Sequence, residues 1–299
     1  MKEEVLTDQQ QKFIVVFIAS LASFLGFQAV SEAIRVYQID YFLSVSFYVY
    51  LFLVFWQSFV FDLELRATYQ WSRLDNSFWE AFKKRFHYLL EFRHFLNYQN
   101  YLILPGIIYW CTIILLYLNP FEILLKQAFI VGSTLALTVV FWYSRTIFYR
   151  HIEHKRNARQ FLFRAKILGS YIAFAATIGI SHYFGFDVMS AAIAVFALSY
   201  LLFHQAFFQH NALGFTSTVA MVVGAFIVAV TAAIVYLVWN ANYFSAALAV
   251  TAVYNTVWGY IQHKHIDRDI TRELVYEYLA ALFVILVILV NTTNFSQRI

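Results

Sequence analysis

Thr218–Trp239 reads TVAMVVGAFIVAVTAAIVYLVW, twenty-two residues with no charge and no proline. Crossing about 30 Å of hydrocarbon takes about 20 apolar helical residues. The stretch does not alternate apolar with polar side chains as a barrel strand does, and inside a bilayer only a helix or a closed barrel satisfies its own backbone hydrogen bonds. It therefore reads as a transmembrane helix, and that reading decides the fold. Eight further stretches have the same character: Phe13–Val30, Tyr41–Phe61, Tyr101–Leu118, Leu124–Tyr143, Ile167–Phe184, Val188–Phe207, Phe244–Ile261 and Leu274–Val290. The expectation is an all-α, polytopic bundle of about nine spans forming a single integral membrane domain over 1–299.

Composition agrees. Of 299 residues, 62% are apolar and 13% charged, against roughly 45–50% and about 25% in an average soluble domain. A water-soluble fold of this size could not hide that much apolar surface, which excludes an ordinary globular enzyme, a disordered chain and a disulfide scaffold. The single cysteine, Cys111, has no partner within the chain. Glu3, Glu4 and Asp8 beside Lys2, with no small-residue cleavage site after the first apolar run, argue against a removable signal peptide.

Basic residues set the orientation, because cytoplasmic loops retain Lys and Arg. Arg66, Arg73, Lys83, Lys84, Arg85 and Arg93 lie between spans two and three. Arg150, Lys155, Arg156, Arg159 and Arg164 lie between four and five, and Lys264, Arg268 and Arg272 between eight and nine. Nine spans put all three groups on one side, with the N-terminus cytoplasmic and the C-terminus outside a cell (inner) membrane. The turn Gln209–Thr216 falls on the inner side without any Lys or Arg, so a re-entrant pair there, leaving seven full spans, also satisfies parity. The net charge of +4 follows from this rule and implies no nucleic-acid partner.

Two parts differ in texture. Residues 1–148 are rich in Phe, Tyr and Trp. Residues 149–299 are rich in Ala and Gly, with small-residue steps at Gly169/Ala173/Thr177, Ala225/Ala229/Ala233 and Ser245/Ala249. Such steps let helix backbones approach where lipid supplies no drive to associate. Ser77–Leu96 reads as an amphipathic helix. Ser77 and Glu80 form a capping box, with Phe78, Phe82, Phe86, Leu89, Leu90 and Leu96 on one face and Glu80, Lys83, His87, Glu91 and His94 on the other. It suits a helix lying in the membrane interface, either as a collar or as a site for anionic lipid headgroups. Candidate headgroup contacts are Lys83, Lys84, Arg85 and Arg93, and Lys155, Arg156 and Arg159 in the more basic segment 149–166, which admits the same two readings.

Eight of the nine histidines fall at the inner boundary: His87, His94, His151, His154, His204, His210, His263 and His265. His151 and His154 share a helical face and could grip one metal ion. His263 and His265 would point apart on a helix. In count and side these histidines resemble those of membrane desaturases and hydroxylases, which bind two irons on the cytoplasmic face. The resemblance rests on HxxH at 151–154 and HxH at 263–265, without an adjacent pair or an HxxxH spacing. It implies a metal-dependent oxidoreductase acting on a lipid, with Fe or Zn held by His151, His154, His204, His210, His263 and His265. Asp267-Arg268-Asp269 is a DxD triplet, a pattern that holds Mg²⁺ against a diphosphate in some membrane transferases.

Few ionisable residues fall inside the predicted spans. Asn255, Thr251 and Thr256 are the main polar groups of span eight, where Asn255 is expected to bond across to a neighbouring helix. That argues against ion-coupled transport through the midplane. The leading expectation is a protein that handles a lipid or other hydrophobic ligand at the cytoplasmic leaflet. The enzyme is the first alternative, and a structural subunit with a membrane-protein partner or a second copy of the chain is another.

Overall fold

The computed structural model describes residues 8–36, 39–69, 92–118, 122–144, 152–239, 242–267, 271–293 and 295. Among them there are nine α-helices and no strand: α1 (Asp8–Val36), α2 (Ile39–Tyr69), α3 (Phe92–Leu118), α4 (Ile123–Ser144), α5 (Ile152–Phe184), α6 (Val188–Gln209), α7 (Phe215–Val238), α8 (Tyr243–Gln262) and α9 (Arg272–Thr292). Each covers one of the nine apolar stretches, α7 stopping one residue short with Trp239 as its C-cap. Eight are long and apolar enough to cross a membrane, and the chain is a polytopic helical membrane protein. The exception, α8, has 20 residues, enough for about 30 Å. Its apolarity is diluted by Thr251, Tyr254, Asn255 and Thr256, and Tyr243, Ala246, Ala247, Val250, Tyr254 and Trp258 are all buried. A helix screened from lipid by its neighbours can carry polar groups that a lipid-facing one cannot. Helices α6 and α7, of 22 and 24 residues, run about 33 and 36 Å. Those lengths suffice for two full spans.

The chain forms two compact units. Residues 1–109 and 121–165 make the first, 110–120 and 166–299 the second, so that α3 and α5 each contribute to both. The interfacial helix expected over Ser77–Leu96 lies outside the described residues as far as Glu91, and residues 92–96 form the start of α3.

In the first unit α1 packs against α2 and α4. Gly26 of α1 lies directly against the Val49 side chain, and Trp56 donates its indole N–H to the Val15 carbonyl at 2.9 Å. Thr138 of α4 donates to Ser20 of α1 at 2.7 Å. Tyr109 stacks on Phe27 and Tyr50, each with ring centres 5.4 Å away, and donates its hydroxyl to the Ser46 carbonyl at 2.7 Å. Most buried hydroxyls here are satisfied within their own helix: Ser23, Ser46 and Thr134 each donate to the carbonyl four residues back.

In the second unit α6 pairs with α7, α7 with α8, and α8 with α9. Most of the small-residue steps sit at buried positions, with Ala173, Ala225 and Ala249 at most 1% exposed, while Ala233 and Ser245 are half-buried. Helix α5 ends in a Schellman turn: Phe186 N–H reaches the Ser181 carbonyl at 2.8 Å, Gly185 N–H that of His182, and Gly185 takes φ +65°. Asp187, the N-cap of α6, pairs through its side chain with Ser190, which together with nearby backbone N–H groups holds its carboxyl below the usual carboxylate range. Asn242 caps α8 by accepting from Phe244 N–H at 2.8 Å, and Thr271 caps α9 by accepting from Leu274 N–H at 3.3 Å.

Candidate functional site

The second unit holds a cavity of about 640 Å³ between α7, α8, α9 and the single π-helical turn His263–Asp267 that follows α8. Its walls are Val219, Val223 and Ile227 of α7, Val257 and Ile261 of α8, and Val275 and Leu279 of α9, almost all apolar. The polar lining residues are Thr216, Thr256, Tyr260, Lys264, His265 and Tyr278, of which Thr216 near the start of α7 and Lys264 and His265 just after α8 belong to the end where those two helices begin and finish. Glycines shape two of its walls. A methyl group on Gly224 would meet Ile261 at 2.8 Å and Phe203 at 3.1 Å, so α7 rests on α6 and α8 at this point. Gly259 lies directly under the Tyr278 ring, where a Cβ would meet it at 2.6 Å, which seats α9 on α8. Helix α9 has no buried residue along its length.

The ammonium of Lys264 lies 5.6 Å from the centre of the Tyr260 ring. His265 lines the cavity and its ring lies 6.3 Å from that of Phe207. Burial first, and the neighbouring Lys264 charge second, hold the His265 imidazole below its usual pKa, so the neutral form is favoured. Large apolar walls with a few convergent polar groups at one end are the ordinary make-up of a small-molecule site.

The histidines expected to act together have different neighbours. His263 faces Tyr278 of α9 at 6.1 Å and His265 faces Phe207 of α6, so the two diverge as helical spacing requires. His204 lies 6.2 Å from Tyr200 on its own helix, and His210 lies 6.4 Å from Trp258. Among the described residues no group of three or more His, Cys, Asp or Glu could hold a metal ion. His151, Lys83, Lys84, Arg85 and Asp269 lie outside the described residues. Arg93, His154, Lys155, Arg156 and Asp267 lie in helical turns, with side chains outside the described set. Arg159 is half-buried, and its Nε finds no partner among the described residues.

Sequence reasoning missed Lys166. Taken as the end of a basic, solvated segment, it is 3% exposed, with its ammonium 4.1 Å from the centre of the Trp258 ring. The helix that carries it begins at Ile152, about four turns before Ile167, where the apolar run begins. Ala158, Leu162 and Ala165 form a buried stripe that continues through Lys166 to Gly169 and Ile172, and their spacing was the available signal. Asn255 also departs from expectation: its Oδ1 is buried with no partner among the described residues, rather than bonded to a neighbouring helix. No protein-family model matches the chain, and no curated protein or solved structure is detectably similar to it.

Proposed function

We propose that this membrane protein binds an anionic amphiphile, its alkyl chain lying in the cavity between α7, α8 and α9 and its headgroup at Lys264 and His265. The observation that carries the reading is the 640 Å³ apolar cavity with a cationic end. Moving an alkyl chain from bilayer to protein gains little hydrophobic free energy, because lipid is as apolar as the walls. Selectivity must therefore come from the headgroup end, where each cation near the surface contributes about 1 kcal/mol. The orientation set by the basic loops puts that end at the cytoplasmic leaflet, the side on which Lys83, Lys84, Arg85, Arg93, Lys155 and Arg156 would add to the attraction.

The test is binding of a dansyl-labelled fatty acid and of an uncharged dansyl-labelled alkyl alcohol to protein in mild detergent. Lys264→Glu removes one attraction and adds a repulsion, about 2 kcal/mol in all or roughly 30-fold in affinity for the acid, and leaves the alcohol unchanged. Ala220→Trp fills the cavity from α7 and weakens both. Equal binding of the acid by the original protein and both variants overturns the proposal.

A further inference from the structure

A second site lies deeper in the same unit, on the faces where α6 and α8 meet. Thr251, Tyr254, Asn255 and Trp258 recur at i, i+3, i+4 and i+7, so they share one face of α8 within an arc of about 100°. Ring contacts set the register of the opposing helix. Phe203 stacks on Tyr254 with centres 4.7 Å apart, and Phe207 meets Trp258 edge-on at 5.7 Å. One turn further back on α6, Ser199 therefore falls at the level of Thr251.

Ten buried polar side-chain atoms among the described residues have no hydrogen-bond partner, and five lie on these two faces: Ser199 Oγ, Thr251 Oγ1, Tyr254 OH, Asn255 Oδ1 and Trp258 Nε1. Ser199 and Tyr254 are 0% exposed, Trp258 1% and Thr251 5%. Two threonines of this unit show the alternative that was open to a hydroxyl on a helix. Thr256, on α8 itself, donates to the Ala252 carbonyl at 3.0 Å, and Thr177 donates to that of Ala173 at 2.8 Å. Ser199 and Thr251 do not fold back in this way, and neither an indole N–H nor a tyrosine hydroxyl can. A buried polar group left dry loses its hydration without compensation, and native interiors meet that cost with bound water making two to four hydrogen bonds.

We infer that α6 and α8 enclose a hydrated polar track, a site for bound water and for water-sized hydrogen-bonding solutes. It runs about 10 Å inward from Trp258 to Thr251 and Ser199. The groups around its outer end are polar: the Lys166 ammonium over the Trp258 ring and the His210 ring 6.4 Å from it. The track is separate from the amphiphile cavity, whose lining includes none of the five atoms' residues, and it stands or falls independently of that proposal.

Radiolytic hydroxyl footprinting of the unaltered protein in mild detergent tests it, because radicals generated from bound water oxidise the side chains that water touches. The control is Tyr109, which is 1% exposed with its hydroxyl already bonded to the Ser46 carbonyl. Tyr254 and Trp258 are expected to be labelled at least ten-fold faster than Tyr109. Labelling of both at the Tyr109 rate overturns the inference. Cysteine accessibility gives a second readout in a Cys111→Ser background. Ser199→Cys and Thr251→Cys should react with 2-aminoethyl methanethiosulfonate at least ten-fold faster than Ala249→Cys, which is equally buried on the opposite face of α8. Equal rates count against the track.

Discussion

Replacing Gly224 with alanine tests the packing on which the cavity depends. The added methyl group would sit 2.8 Å from Ile261 Cδ1, 3.1 Å from Phe203 Cε2 and 3.2 Å from Val257 Cγ1, where relaxed carbon contacts lie at about 3.5–4.0 Å. Ile261 can rotate its terminal methyl away. Phe203 cannot recede, because it is 0% exposed and stacked between Tyr254 at 4.7 Å and Trp258 at 6.1 Å. Helix α7 must therefore move outward by several tenths of an ångström, and overpacking of this kind costs about 1–3 kcal/mol. Alanine also favours a helix over glycine by up to about 1 kcal/mol, so the measurement needs a reference. Gly132 of α4 supplies it, since nothing lies within 4 Å of a Cβ placed there. The intrinsic gain is common to both sites and cancels in the difference. Gly224→Ala should thus be less stable than Gly132→Ala by about 1–3 kcal/mol, a 5- to 150-fold change in the unfolding equilibrium. Thermal unfolding in mild detergent, followed by far-ultraviolet circular dichroism, reads that difference. The buried Cys111 thiol of the second unit gives an independent signal when it becomes reactive. A difference below about 0.5 kcal/mol, the noise of an innocuous substitution, would refute the close contact between α7 and the α6/α8 pair.

Two further outcomes follow from the same unit. His265 is held below the usual imidazole pKa of about 6.5, so it is neutral at pH 7 and charges only as the pH falls through that lowered value. Affinity for the dansyl fatty acid should rise over that acidic window, and His265→Gln should remove the rise. A pH-independent affinity in the original protein, or an unchanged profile in His265→Gln, would show that His265 does not face the headgroup. Asn242→Ala removes the side chain that caps α8 through Phe244 N–H. It should cost about 1 kcal/mol, or about 2–4 °C in the thermal midpoint, and no change would mean that the cap contributes nothing in the membrane.

The expected single domain with aromatic and small-residue parts meets a division into two compact units at other boundaries, because α3 and α5 each contribute to both. Periodicity follows one helix at a time and cannot see a helix shared between two units. The histidines were legible in the sequence as a count and a spacing, but shared faces depend on which helices meet. His210 and His265 come near the Phe207–Trp258 pair from different segments, while His263 turns to Tyr278. The DxD triplet and the basic amphipathic segment remain readings of the sequence.

The helical nature of the spans and the places of their apolar stretches were set by the sequence itself, because apolar length against bilayer thickness and the need to satisfy every backbone group leave no other class of structure. Which side of each span faces protein was decided only in the tertiary structure. In α7, Phe226, Ile227 and Ile234 are exposed while Ala225, Val228 and Ala232 are buried, yet both sets are apolar. A helix that is apolar all round carries no stripe by which lipid-facing and interior sides could be told apart. Lys166 over Trp258, the unpartnered face of α8 and the cavity beside α9 all follow from that choice of sides.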